Sequence, residues 1–264
     1  MRIALTIAGS DSGGGAGIQA DLKTFQRFGV FGTSAITAIT AQNTTGVTSW
    51  EAVSTDMIRA QIDAVAVDLA PQAFKSGMLA NAAIASAVSS AIRDLGLPNY
   101  VLDPVMVATS GDLLLEQDAV GVIRDQLLPQ ATLVTPNLHE AAILVGESID
   151  DEDGMARAAE KIADEMGARA VLVKGGHLMS DERIVDILYD GDIRAFRGRR
   201  LATTSTHGTG CTLSAAITAQ LAKGESLHAA VRTSIDYVQS AIATAPGLGS
   251  GHGPLNHGGG VFDP

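Results

Sequence analysis

Cys211 is the single cysteine in a chain of 264 residues. One thiol excludes an intramolecular disulfide framework and any metal site built on several thiolates. It suits a reducing, cytoplasmic setting. Aromatic residues are scarce, at 4% against 46% apolar residues, so the expected core is aliphatic, built on Ala, Val, Ile and Leu. Positive charge is also in short supply. Lys and Arg number 18 against 29 Asp and Glu, a formal net charge of −11. The one basic cluster, "RGRR" at 197–200, is far smaller than the footprint a nucleic-acid binder needs. Nowhere is there an apolar run long enough to span a membrane, and "MRIALTIAGSDSGG" is broken too early by Gly and Asp to read as a secretory signal. If the ligand is a polyanion such as ATP, bulk charge opposes it. Local amides, a lysine and a divalent cation would have to hold it.

Glycine, by contrast, is abundant: 29 residues, which points to tight βα turns and close backbone approach to a ligand. Apolar runs alternate with amphipathic stretches. "RIALTIAG" reads as a buried strand, followed by a helix over "GIQADLKTFQRFG" that Gly29 ends. "GTSAITAIT", "TSWEAVS" and "AFKSGML" are expected strands. "YVLDPVM", "ATLVTP" and "AVLVKGG" are continuous apolar runs bounded by turn residues, as in a parallel sheet covered on both faces. Helices are expected over 55–69 with Thr55 as N-cap, over 81–96 between Asn81 and Gly96, over 151–167, and over 208–224 and 226–245. "RIVDILYDGDIRAFRG" reads as a hairpin around "DGD". The pattern is that of one α/β domain, residues 1–264, with a doubly wound sheet. Ligands in such sheets bind beyond the carboxyl ends of the strands.

The segments that follow strands therefore carry the candidates. "GSDSGGGAG" (9–17) could present amides to an anion, though it lacks a Walker lysine and is as often a tight turn. "TPNLHEAAILVG" sets Asn137 and Glu140 on one helical face, a spacing that suits a hydrated Mg²⁺ beside phosphates and equally suits a helix cap. Asp103 ends one strand, where a cation or substrate would lie; Asp-Pro also simply starts turns. Lys174 leaves the same edge, ready for a phosphate or for solvent. Gln42 and Asn43 follow another strand, where an amide can read a heteroaromatic amine or only cap a loop. "THGTGC" (206–211) opens a helix with glycines on either side of Thr209. Its amides form an anion hole for a transferring phosphoryl group, and the helix start is expected to lower the Cys211 pKa. A cysteine hydrolase with His207 as base is the rival reading of that turn.

Taken together, "AGSDSGGGAGIQADLKTF", "TAQNT", "SGML", "LDPVMVATSGD", "TPNLHEA", "VLVKGGH", "HGTGCTLSAAI" and "GHGPLNH" resemble, in that order, the hydroxymethylpyrimidine/phosphomethylpyrimidine kinases of thiamine biosynthesis, within the ribokinase-like superfamily. The resemblance covers nearly the whole chain. It implies a central, mostly parallel sheet flanked by helices on both faces. It further implies MgATP-dependent phosphorylation of 4-amino-5-hydroxymethyl-2-methylpyrimidine to the monophosphate and then the diphosphate. By resemblance Gln42 reads the pyrimidine edge, and Asp21, Gly9, Met78 and Val105 complete that pocket. Asp103, Asn137 and Glu140 are the Mg²⁺ and phosphate-side group, with Lys174 on the nucleotide. Gly208, Thr209, Gly210 and Cys211 form the anion hole, Cys211 standing where related sugar kinases carry an aspartate base.

Two positions depart from the family pattern. Ser12 stands where proline is frequent and is expected to loosen the first loop; Ser76 replaces a common isoleucine and is expected to be a packing change. Relatives acting on pyridoxal use a second cysteine after "DPVM", where this chain has Ala108 and Thr109, which favours the pyrimidine. The segment after "DPVM" is expected to fold over the substrate. A pyridoxal kinase and a non-catalytic vitamin-binding sensor are the competing functions. Oligomeric state does not follow from the sequence, a homodimer being one compatible assembly.

Overall fold

The short apolar runs bounded by turn residues become the middle of a sheet. A computed structural model describes residues 1–106, 118–176 and 183–258. Among these, nine strands form one sheet: β1 (Ile3–Asp11), β2 (Phe31–Asn43), β3 (Gly46–Ala52), β4 (Ala73–Ser76), β5 (Tyr100–Leu102), β6 (Leu133–Val134), β7 (Val171–Val173), β8 (Arg183–Tyr189) and β9 (Ile193–Arg199). Their order is β3-β2-β1-β4-β5-β6-β7-β8-β9. From β2 through β7 all neighbours are parallel. The antiparallel pairs lie at the ends, β3 on β2 and the β8–β9 hairpin beside β7.

Eight α-helices flank the sheet: α1 (Gly17–Arg27), α2 (Thr55–Leu69), α3 (Ala82–Leu95), α4 (Ala119–Val122), α5 (Leu138–Val145), α6 (Glu152–Met166), α7 (Thr209–Ala222) and α8 (Leu227–Ala243). Alternation along β1 sends Leu5 and Ile7 into one apolar cluster, shared with Ile58 and Ile62 of α2, Val88 of α3 and Ile162 of α6. Ala4 joins the other, with Phe25 of α1, Ile217 of α7 and Val231 of α8. Both faces are covered, as a parallel sheet requires. None of the described helices is long and apolar enough to cross a membrane.

Several boundaries differ from expectation, each for a local reason. Helix α2 is capped by Ser54, whose hydroxyl accepts from Met57 N at 3.3 Å, one residue before Thr55. Strand β2 runs on to Asn43, so Gln42 is no loop residue; it pairs with Val47 in the hairpin. Strand β4 stops at Ser76, and "GML" leaves the sheet. Helix α4 continues through a π turn (Ile123–Leu127) and a 3₁₀ turn (Leu128–Gln130), a segment too short and too irregular to stand out in the sequence. Ser76 is more than a packing change: its hydroxyl lies 2.6 Å from Tyr100 Oη in the core, giving that buried phenol its partner. Ala108, Thr109 and the segment expected to close over the substrate lie outside the described residues, as does His177.

Candidate active site

Strands β1, β4 and β5 pack against α7, and Lys174, just past β7, reaches Gly210 at its start. Asp103, just past β5, is buried, and its carboxylate is held from three sides. Lys174 Nζ donates to Oδ1 at 3.1 Å and Ser214 Oγ to Oδ2 at 3.1 Å, with Thr135 Oγ1 at 3.4 Å from Oδ1. Burial alone would raise the Asp103 pKa, but Lys174, Lys75 and these hydrogen bonds hold it below the usual carboxylate range. Lys174 stays charged for the reciprocal reason. Burial works against the ammonium, yet Asp103 and Glu140 keep its pKa above normal.

Gly210 closes this group. A Cβ there would stand 3.0 Å from Lys174 Nζ and 3.8 Å from Asp103 Oδ2, so glycine lets the ammonium lie against the backbone of the turn. Gly208 is the N-cap of α7, with φ +77°. The Thr209 amide points to Thr206 O at 3.3 Å, which removes it from the expected set of anion-hole donors. Gly210 and Cys211 follow in the first turn, where amides have no intrahelical acceptor.

The Gly17 backbone is close enough to the Cys211 thiol to pull its pKa down. A Cβ on Gly17 would come 2.3 Å from Gly9 O, and one on Gly9 would come 3.0 Å from Met78 Sδ. Met78 and Gly17 thus both approach Gly9, as Lys174 and Asp103 both approach Gly210. Val105 follows Asp103 by two residues, its amide donating to Asp103 O at 2.8 Å. Gln42 is tied to the first loop by its backbone, while its side-chain Oε1 accepts from Thr40 Oγ1 at 3.2 Å. Ser12 Oγ donates to Gln42 O and accepts from Gln42 N, both at 2.8 Å. Ser12 therefore ties that loop to β2, the opposite of the loosening expected of it.

Asn137 and Glu140 form a capping box on α5: Asn137 Oδ1 accepts from Glu140 N at 2.9 Å and Glu140 Oε2 from Asn137 N at 2.8 Å. The capping reading is therefore correct as local structure. It does not exhaust Glu140, which is 3% exposed. Burial pushes its pKa up to about 7 against the pull of Lys174, with Asp103 adding to the rise. Among the described residues, no group of three or more His, Cys, Asp or Glu is arranged to hold a metal ion. The donor set is two carboxylates flanked by a lysine. It fits a hydrated Mg²⁺ arriving with phosphates, an ion that takes one or two carboxylates and keeps its waters.

Three expectations are corrected. The amides of "GSDSGGGAG" are already occupied: Gly13, Gly15 and Ala16 donate to the carboxylate of Asp11, so the resident anion of that loop is its own aspartate. Asp21 does not line the pocket surface. It is fully buried, taking Thr6 Oγ1 at 2.6 Å and Lys75 Nζ at 3.0 Å. Lys75 was not a candidate in the sequence, where it sits in an apolar run; its partner lies 54 residues away. Finally, Cys211 has a raised pKa. Burial pushes the thiol up to about 11, outweighing Lys75, whose charge pulls it down. Desolvation exceeds the helix-terminus effect on which the opposite expectation rested.

Comparison with known proteins identifies the family. The family model for phosphomethylpyrimidine kinase matches residues 11–256. A hydroxymethylpyrimidine/phosphomethylpyrimidine kinase of Rhizobium meliloti is 55% identical over 97% of this chain and 96% of its own. One from Bacillus subtilis is 49% identical over 96% and 94%. Among solved structures, the ADP complex of Bacillus subtilis pyridoxal kinase superposes with a TM-score of 0.90 at 41% identity, covering 97% of each chain. The chain is an α/β kinase and belongs to the phosphomethylpyrimidine kinase family.

Proposed function

We propose that this chain, working as one ribokinase-like domain in the cytoplasm, uses MgATP to phosphorylate 4-amino-5-hydroxymethyl-2-methylpyrimidine and then its monophosphate. The observation that carries this is the close approach of Met78 to Gly9 and of Lys174 to Gly210 in the 208–211 glycine turn. We read one side of that glycine turn as the place for a small ring, with the ammonium of Lys174 on the other. Gln42 presents an amide to the amino and ring-nitrogen edge; Gly9, Met78 and Val105 supply the apolar walls. Asp21 acts from beneath, through Lys75.

The reaction is in-line displacement. The hydroxymethyl oxygen forms a bond to the γ-phosphorus, the bond to the β-phosphate oxygen breaks, ADP leaves, and the hydroxyl gives up its proton. The amides of Gly208, Gly210 and Cys211, with the α7 dipole, face the charge on the transferring group. Lys174 offsets charge on the nucleotide side. Asn137, Glu140 and Asp103 would hold the hydrated Mg²⁺, which supplies charge neutralisation for the phosphates. With its thiol above neutrality, Cys211 keeps its proton in the free enzyme. A neutral thiol cannot accept a second proton, so Cys211 serves as base only in its thiolate fraction; otherwise the hydroxyl proton passes to an oxygen of the transferred phosphoryl group, and the amides carry more of the catalysis than the thiol.

The second reading is a pyridoxal kinase, favoured by the solved structure in that class. Offering both alcohols with MgATP and measuring turnover separates them. Faster turnover on the pyrimidine, with one and then two phosphates added, supports the first reading. Faster turnover on pyridoxal overturns it.

A further inference from the structure

Asp11 ends β1 and is 2% exposed. Its Oδ1 accepts from Gly13 N at 2.8 Å. Its Oδ2 takes Gly15 N at 3.0 Å, Ala16 N at 2.8 Å and His207 Nε2 at 2.8 Å. Four donors converge on one carboxylate from two loops 196 positions apart. The first loop is bound to Gln42 through Ser12 and leads into Gly17 at the start of α1. The second leads from His207 directly into Gly208. The two backbones interlock at that joint. A Cβ on Gly208 would come 1.9 Å from Gly15 O, and one on Gly15 would come 2.5 Å from His207 Cδ2. His207 is itself 6% exposed, and its amide donates to Gly253 O at 3.1 Å. The "GHGPLNH" tail thus backs the histidine from behind.

We propose that Asp11 and His207 are positioning residues for phosphoryl transfer. The carboxylate orders the loop on the pyrimidine side and, through the imidazole, fixes the height of the 208–211 amides against the acceptor hydroxyl. The inference rests on the kinase reading above. Neither residue needs to touch a substrate. What they set is the distance between two groups that do. Misplacement of about 1 Å in such a constellation costs roughly 100-fold in rate, whereas affinity for each substrate depends on contacts that stay on their own loops.

The test compares His207→Leu with His207→Gln, whose side-chain amide can donate to Asp11 from nearly the same place. His207→Leu is expected to lower kcat at least about tenfold, with KM for the pyrimidine alcohol and for ATP each within about threefold of the unsubstituted enzyme. His207→Gln is expected to recover most of that loss. A fold-wide weakening would not be repaired by one restored donor, nor confined to kcat. Full kcat in His207→Leu, a change confined to KM, or His207→Gln no better than His207→Leu overturns the proposal. If His207→Leu does not fold, His207→Gln decides alone: kcat within about threefold of the unsubstituted enzyme supports the joint, and a larger loss in folded protein overturns it. Failure of the kinase reading is distinguishable, since the unsubstituted enzyme would then leave the pyrimidine alcohol unphosphorylated.

Discussion

Gly210 lies directly against the Lys174 ammonium: a Cβ would stand 3.0 Å from Nζ, close enough that the ammonium would have to give by a few tenths of an ångström. Lys174 cannot retreat freely, because Asp103 holds it at 3.1 Å. Gly210→Ala therefore presses the charge away from the turn at the point where the proposed mechanism has both face the phosphoryl group. The expected result is a fall in kcat of roughly 100-fold. Thermal stability should change little, since alanine suits a helix's first turn. Steady-state kinetics beside a thermal melt checks this, and an unchanged kcat would detach Lys174 from the turn's function.

The Cys211 thiol gives a prediction with a definite sign. Its pKa in the fold is raised, to about 11 from 9, so the free enzyme carries the neutral thiol near pH 8. The same shift favours folding below pH 9 and is lost as pH rises toward 11. Iodoacetamide should modify Cys211 slowly at pH 8 and much faster only above about pH 10. Cys211→Ala should cut kcat roughly tenfold while leaving ATP binding intact. Retained turnover in that variant would remove the thiol from proton transfer and leave the amides in place.

Gln42 is predicted to act on binding. Gln42→Ala should raise KM for the pyrimidine alcohol about tenfold, the worth of one good hydrogen bond to a buried polar edge, with KM for ATP unchanged. Ser12→Ala removes both 2.8 Å bonds to the Gln42 backbone and should give the same pattern more weakly. Isothermal titration with the pyrimidine reads both, and unaltered affinity in Gln42→Ala would cancel its role.

How much of this was open to a reader of the sequence depends on range. Parallel strands show as bounded apolar runs, and helix ends as Gly29, Gly96 and Gly167, all of which take positive φ. The Asn137–Glu140 spacing is local and was visible, although it could not tell a cap from a cation site; both uses share the same atoms. What stayed hidden involves partners far apart. The Asp21–Lys75 pair, the Asp11–His207 joint and the Ser12–Gln42 bonds each need the fold to bring their halves together. The sign of the Cys211 shift was hidden too, because burial depends on what packs around the sulfur and not on its place in the helix.

His257, in the tail, supplies a pH test of folding. It is buried beside Thr212, with Nε2 3.1 Å from the hydroxyl, and burial, then Lys23 and His207, push its pKa down to about 4 from 6.5. A depressed histidine stabilises the fold above its unfolded value and loses that contribution as pH falls through the folded one. Stability should therefore drop between pH 6.5 and 4 by up to about 3 kcal/mol, measured by urea unfolding. His257→Gln, which keeps a polar atom near Thr212 and cannot titrate, should flatten part of that slope. An equal slope in both proteins would assign the acid sensitivity elsewhere.

The central claim is that the main-chain amides of Gly208, Gly210 and Cys211 meet the phosphoryl group in flight, between Lys174 and the pyrimidine hydroxyl. A crystal structure with ADP, aluminium fluoride, Mg²⁺ and the pyrimidine alcohol tests it most directly. The account predicts the fluoride ligands within about 3 Å of the Gly210 and Cys211 nitrogens. A complex in which the fluoride lies beyond hydrogen-bonding distance of every amide in that turn would contradict it.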